Sequence, residues 1–192
     1  MKLGFIGAGN MAKAMIGGIL KNNIFKPEEV IASDLYEPGL RQAKESLGIH
    51  VTTDNKEVAR TAEVLVLSVK PQFYDAVIKE IKELITETQI IVTIAPGKTL
   101  EYLAGAFEKP VKLVRTMPNT PALVGEGITG VCRNDLVTKE ELDYICNILS
   151  GFGMAQVLSE NLMDVVVSVS GSSPAYVFML IEAMADGAVA DG

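Results

Sequence analysis

The chain has no tryptophan, one histidine and two cysteines in 192 residues. A structural metal needs clustered His and Cys ligands. Here Cys132 and Cys146 are too far apart for a Cys-x-x-Cys pair, and His50 lies near neither. No metal site and no redox dithiol is therefore expected, and both thiols are assigned to the core. Basic residues are absent from 140–192, which hold eight acids, leaving all 17 Lys and Arg to face 16 acids in 1–139. A chain with net charge −7 and no basic stripe lacks the electrostatic footprint of a nucleic-acid binder. Long uncharged runs are also missing. The longest, Val165 to Ile181, has 17 residues and is interrupted by Gly171-Ser172-Ser173-Pro174, short of the roughly 20 apolar residues that cross a bilayer. No membrane partner is expected. Met1 and Lys2 lead straight into a strand-like run without the regions of a signal peptide, which makes a cytoplasmic location the expectation.

Hydrophobic residues make up 48% of the chain and charged residues 21%, enough to bury a core. The length allows one domain of about 100–200 residues and part of a second. Apolar runs alternate with helical spacing: a strand at Lys2–Gly7, a helix over Asn10–Leu20, a strand at Val30–Ser33 and a helix over Pro38–Leu47. Strand runs follow at Val64–Val69, Ile90–Ile94 and Val111–Thr116, with helices over Phe73–Ile85 and Thr99–Phe107 between them. Uninterrupted β-branched runs suit strands covered on both faces. The alternation predicts an α/β fold, a Rossmann-like mainly parallel sheet with helices on both faces. After Pro118 come a turn-rich stretch, a helix from about Thr138 to Leu149 and a short strand at Met154–Leu158. From Pro174 to Ala190 apolar residues lie nearly all round a helix whose only charges are Glu182 and Asp186. Such a helix must be covered by something, and it is expected to open a second, helical unit that is incomplete at Gly192.

Gly7-Ala8-Gly9-Asn10-Met11-Ala12 is a G-x-G-x-x-A string between the first strand and the first helix. The first glycine permits a tight turn, the second lets a pyrophosphate approach the backbone, and the small sixth residue packs helix on strand. Free N–H groups at the helix start would face the phosphates. Asp34 stands at the end of the second strand, 22 positions past Ala12. An acid there accepts from the adenine ribose and repels a 2′-phosphate, which favours NAD over NADP. The alternative is that Asp34 points away and Ser33 meets the ribose.

Ligands in such sheets bind at the carboxyl ends of the strands. Those ends carry Ser68-Val69-Lys70-Pro71, Ala95-Pro96-Gly97 and Thr116-Met117-Pro118-Asn119. Lys70, held extended before Pro71, and Asn119, which could bind substrate or the nicotinamide carboxamide, are the candidate catalytic groups. Each also has a plainer reading, as a surface lysine and as a turn residue.

FIGAGNMA at the start, VKPQ at 69–72, MPNTPALVGEG at 117–127 and SGSSPAYVFMLIEAMADGAVADG at 170–192 resemble, in order and spacing, the pyrroline-5-carboxylate reductase family. The resemblance implies an NADPH- or NADH-dependent oxidoreductase of proline biosynthesis, transferring hydride to the C=N carbon of a cyclic imine. It implies a dinucleotide-binding domain over 1–160 and the start of a helical dimerisation domain over 161–192. Its partners would be a small-molecule substrate and further copies of itself, as a homodimer or higher homo-oligomer joined through the C-terminal helices. Position by position, Ile6, Gly7, Ala8, Gly9, Asn10 and Met11 would line the pyrophosphate. Ser33 or Asp34 would meet the adenine ribose, and Asn55 the adenosine side. Ser68, Val69, Lys70, Pro71 and Ala95 would run along the ribose and nicotinamide, and Glu160 would stand on the substrate side. Two other readings compete. Another imine reductase or a β-hydroxyacid reductase would usually carry a lysine on the long helix, and 140–192 has none. A non-catalytic NAD(P)-binding module would bind without turnover.

Overall fold

The computed structural model describes all 192 residues. Four strands, β1 (Leu3–Ile6), β2 (Val30–Ser33), β4 (Val64–Leu67) and β5 (Ile90–Thr93), are buried at every position. Because side chains alternate along a strand, each strand feeds two cores. Leu3, Phe5, Val30, Val64, Val66 and Val92 face α1 (Asn10–Lys21) and α6 (Lys139–Leu149), with Met15, Ile16, Leu142 and Ile145 opposite them. Ile6, Ile31, Leu65, Leu67 and Ile91 face α3 (Asn55–Thr61), α4 (Tyr74–Ile81) and α5 (Leu100–Phe107) on the other side. Helix α2 (Glu37–Leu47) joins the first core through Leu40 and ends at Gly48, whose left-handed backbone stops it.

The sheet has eight strands in the order β3-β2-β1-β4-β5-β6-β7-β8, adding β3 (His50–Thr52), β6 (Lys112–Met117), β7 (Gly127–Arg133) and β8 (Gly153–Val157). All neighbours pair in parallel except β6 and β7. The predicted doubly covered, mainly parallel sheet is therefore present. Three elements were not anticipated. Strand β3 has three residues, none of them buried, and α3 buries only Val58 and Ala59, too few to mark a period. Strand β7, GITGVCR, carries two glycines and is held by its neighbours on both sides. The helix expected over 73–85 is instead α4 between two 3-10 turns, Pro71–Phe73 and Lys82–Leu84.

After β8 a 3-10 turn, Glu160–Leu162, leads into α7 (Met163–Val166), a π turn at Val167–Gly171 and α8 (Ser173–Asp191). The Gly-Ser-Ser-Pro interruption does not break this run. Pro174 sits in the first turn of α8, where its missing N–H costs nothing. The continuous helix Glu160–Asp191, 32 residues with a stretch of mean hydropathy 1.4, is long and apolar enough to cross a membrane by length and composition. That corrects the expectation that no segment reaches this length.

Candidate functional site

Strand β1 has β2 on one side and β4 on the other, so successive crossovers leave it in opposite directions and open a crevice at its carboxyl end. The turn there is tight. Gly7 has φ +101°, and a Cβ on it would stand 2.7 Å from the Ser68 carbonyl carbon, so only glycine fits. The Ser68 hydroxyl donates to the carbonyls of Gly7 (2.7 Å) and Ile6 (3.1 Å), tying the end of β4 to the loop. Ala8 N–H donates to Asp34 Oδ2 at 2.8 Å, and Tyr36 N–H donates to Asp34 Oδ1 at 3.0 Å. Gly9 caps α1 in an extended conformation with no side-chain cap, and a Cβ on it would meet nothing within 4 Å. The first backbone amides of α1 have no intrahelical acceptor, and Ala12, 1% exposed, seats the helix on the sheet.

A cavity of about 650 Å³ opens beside this loop. Gly7, Gly9, Asp34, Asn55, Ser68, Val69 and Lys70 all line it, together with Leu35, Tyr36, Phe73 and Glu80. Sequence distance had hidden that these groups share one wall. A second cavity, about 460 Å³ between α1 and the Thr120–Val124 turn, shares none of them.

The predicted residues are placed differently from one another. Ala8, Asn10 and Met11 form the loop and first turn, but the Ile6 side chain is in the core and only its backbone faces the loop. Ser33 is fully buried and its hydroxyl donates to Asn55 Oδ1 at 2.8 Å. Of the two ribose candidates, Asp34 alone therefore reaches the cavity. Asn55 is occupied on its other side as well, its Nδ2 donating to Glu80 Oε2 at 2.9 Å. Lys70 is exposed, extended (φ −64°, ψ 149°) and outside every ion pair, with Pro71 opening the next 3-10 turn. Ala95 is buried and does not line the cavity.

Asn119 departs furthest from expectation. Its Oδ1 accepts from Ile128 N–H at 3.0 Å and its Nδ2 donates to Ser170 Oγ at 3.1 Å. Both ends of the amide brace the protein itself, which leaves one N–H and one lone pair of the side chain uncommitted. Glu160 lines neither cavity. It accepts from Arg115 at 3.1 Å and from Leu100 N–H at 2.8 Å.

Sequence reading missed Tyr74. Fully buried, it donates to the Leu67 carbonyl at 2.6 Å and hydrogen-bonds Thr93 Oγ1 at 2.7 Å, while Thr116 Oγ1 donates to the Thr93 carbonyl at 2.8 Å. The network pins the carboxyl ends of β4, β5 and β6. Burial pushes the Tyr74 phenol up to about 12, so it stays protonated at neutral pH, and its hydrogen bonds make it a strut between the strand ends. No motif marks such a tyrosine in the sequence.

A glycine loop at a sheet's switch point, a free helix N-terminus behind it and a carboxylate at the end of β2 define a dinucleotide-binding domain of the Rossmann type. Residues 2–97 match the family described as NADP oxidoreductase, coenzyme F420-dependent, and residues 160–192 match the pyrroline-5-carboxylate reductase dimerisation family. The whole chain is 42% identical over 191 residues to the pyrroline-5-carboxylate reductases of Methanosarcina acetivorans and Escherichia coli, covering 71% of each. The crystal structure of Plasmodium falciparum pyrroline carboxylate reductase with NADP bound superposes with TM-score 0.91 at 32% identity, covering all of this chain and 70% of that one. Prephenate dehydrogenase from A. aeolicus shares the fold alone, with TM-score 0.73 at 18% identity, covering 95% of this chain and 69% of that one. The chain belongs to the pyrroline-5-carboxylate reductase family.

Proposed function

We propose that this protein reduces pyrroline-5-carboxylate to proline with NADPH or NADH. The observation that carries the reading is the open backbone at Gly9, set beside the cavity in a chain alike over its full length to such reductases. The residues present fit a dinucleotide: Gly9 leaves room for a pyrophosphate, the first amides of α1 have no intrahelical acceptor, and Asp34 lines the cavity beyond them. When bound, a reduced nicotinamide supplies the hydride for the C=N carbon. The chain's own groups do the rest. Gly7 and Ser68 shape the loop, Asp34 holds Ala8 and faces the adenosine end, and Val69 lines the wall. The Lys70 ammonium, unpaired at the mouth, is available to a phosphate or to the substrate carboxylate. The imine accepts hydride better when protonated.

Residues 1–160 act as the dinucleotide-binding domain, and 161–192 as part of a dimerisation unit through which copies associate. The test is steady-state oxidation of NADPH and of NADH with the cyclic imine supplied. Proline formation in step with dinucleotide loss is expected. Tight dinucleotide binding with no imine-dependent turnover would instead favour a non-catalytic binding module.

A further inference from the structure

Arg115 is the only charged side chain among the buried residues, and no part of the nucleotide site uses it. It lies on β6, in register with Thr93 of β5 and Cys132 of β7, so its guanidinium stands near the carboxyl end of the sheet. One nitrogen, Nη1, donates to Glu160 Oε1 and the other, Nη2, to Asp164 Oδ1, both at 3.1 Å. The fork thus grips two carboxylates one helical turn apart at the start of the long helix. The same Glu160 oxygen accepts from Leu100 N–H, the first amide of α5. A single carboxylate oxygen therefore joins β6, α5 and the helix.

Stability alone does not call for this arrangement, because an apolar side chain of similar volume would fill the space without needing partners. What a fork adds is direction. Beyond Ser173 the helix has no buried residue, so its angle to the sheet depends on the contacts of 160–171: the Arg115 fork, buried Met163, and the Asn119–Ser170 bond.

We propose that Arg115 is a positioning residue for the reaction: by fixing Glu160 and the first turns of the long helix, it sets how that helix stands relative to the nucleotide crevice. The proposal rests on the reductase reading above. The two contacts are unequal. The Glu160 side chain is 33% exposed and that of Asp164 86%, so solvent screens the second pair and Glu160 carries most of the effect.

The experiment compares Arg115→Met, Arg115→Lys, Glu160→Gln, Asp164→Asn and the Arg115→Met/Glu160→Gln double variant with wild type in the full chain. For each, the imine KM, kcat, the dinucleotide Kd and amide hydrogen exchange over 160–171 are measured. Arg115→Met is expected to raise the imine KM about tenfold or more and to speed exchange in 160–171, leaving the dinucleotide Kd within about twofold. Arg115→Lys should recover part of the loss. Glu160→Gln should resemble Arg115→Met and the double variant should add little to either, as groups acting through one contact do. Asp164→Asn should be close to wild type. A lowered melting temperature with wild-type KM and wild-type exchange would make Arg115 merely structural and overturn the proposal. So would a dinucleotide Kd that worsens as much as the imine KM. If Arg115→Met does not fold, Glu160→Gln decides by the same readouts. If wild type turns over no imine, the reductase reading fails, and exchange in 160–171 still shows whether Arg115 holds the helix.

Discussion

Two glycines two positions apart do different work. At Gly7 any side chain meets the Ser68 backbone and a left-handed φ, so Gly7→Ala should cost about 1–3 kcal/mol of stability in urea unfolding. Gly9 has ordinary extended geometry and open space above it. Gly9→Val should therefore melt near wild type yet bind dinucleotide at least about tenfold more weakly, the side chain standing where the pyrophosphate approaches. Equal affinity in a folded Gly9→Val protein would remove the pyrophosphate from this loop. Asp34 bears on cofactor choice. The carboxylate holds Ala8 and lines the cavity beside Glu80, and the only lysine or arginine in the lining is Lys70. Asp34→Ser is expected to shift the NADH to NADPH affinity ratio toward NADPH by relieving repulsion of a 2′-phosphate. An unmoved ratio would place Asp34 away from the ribose. The glycine motif and Asp34 were legible from sequence because their chemistry is backbone-local and sits at a strand end. For Ser33 and Asn119 the sequence left alternatives open, because the direction of a hydroxyl or amide depends on which distant partner it finds.

Among the elements, α6 shows how local signals and tertiary contacts combine. Thr138 Oγ1 accepts Glu141 N–H at 3.2 Å, and Glu141 Oε2 accepts Thr138 N–H at 2.9 Å, a reciprocal cap written in the sequence as T-x-x-E. Lys112 of β6 then pairs with the same carboxylate from across the chain. The bond to Lys112 first, and then the Thr138 backbone bond, hold Glu141 below its usual value of 4.5. A carboxyl depressed in the folded state stabilises fully above its unfolded value, and the contribution disappears as pH falls through the folded one. Glu141→Gln should thus lower the urea midpoint at neutral pH, with the gap to wild type closing as pH falls below the ordinary carboxylate range. A gap independent of pH would mean that shape, and not charge, matters there. The elements that escaped sequence reading, β3, α3 and β7, are short or glycine-containing. Pairing or packing against neighbours defines them, and periodicity does not.

For the whole molecule, the question is what covers α8. Phe178 and Leu180 are 59% and 60% exposed and α8 has no buried residue, a surface that isolated soluble domains rarely leave in water. The match of 160–192 to a dimerisation family agrees with copies of the chain covering one another. Sedimentation should find a dimer or larger assembly. Phe178→Glu with Leu180→Glu should shift it toward monomer while dinucleotide affinity stays near wild type, since the glycine loop belongs to a different part of the fold. Loss of nucleotide binding together with assembly would show that the two units are not separable.

By itself the sequence determined the alternation of buried strands and helices, the glycine loop with its acid, and the apolar helix that needs a cover. Each is written in residues close along the chain, where sterics and periodicity act directly. Only the tertiary structure decided that β7 turns antiparallel, that Ser33 and Asn119 spend their polar groups inside, that Tyr74 ties the strand ends, and that buried Arg115 grips the long helix. These depend on partners from 7 to 51 positions away in sequence. Such pairs meet only after the sheet has assembled, and burial then makes each unmet polar group costly.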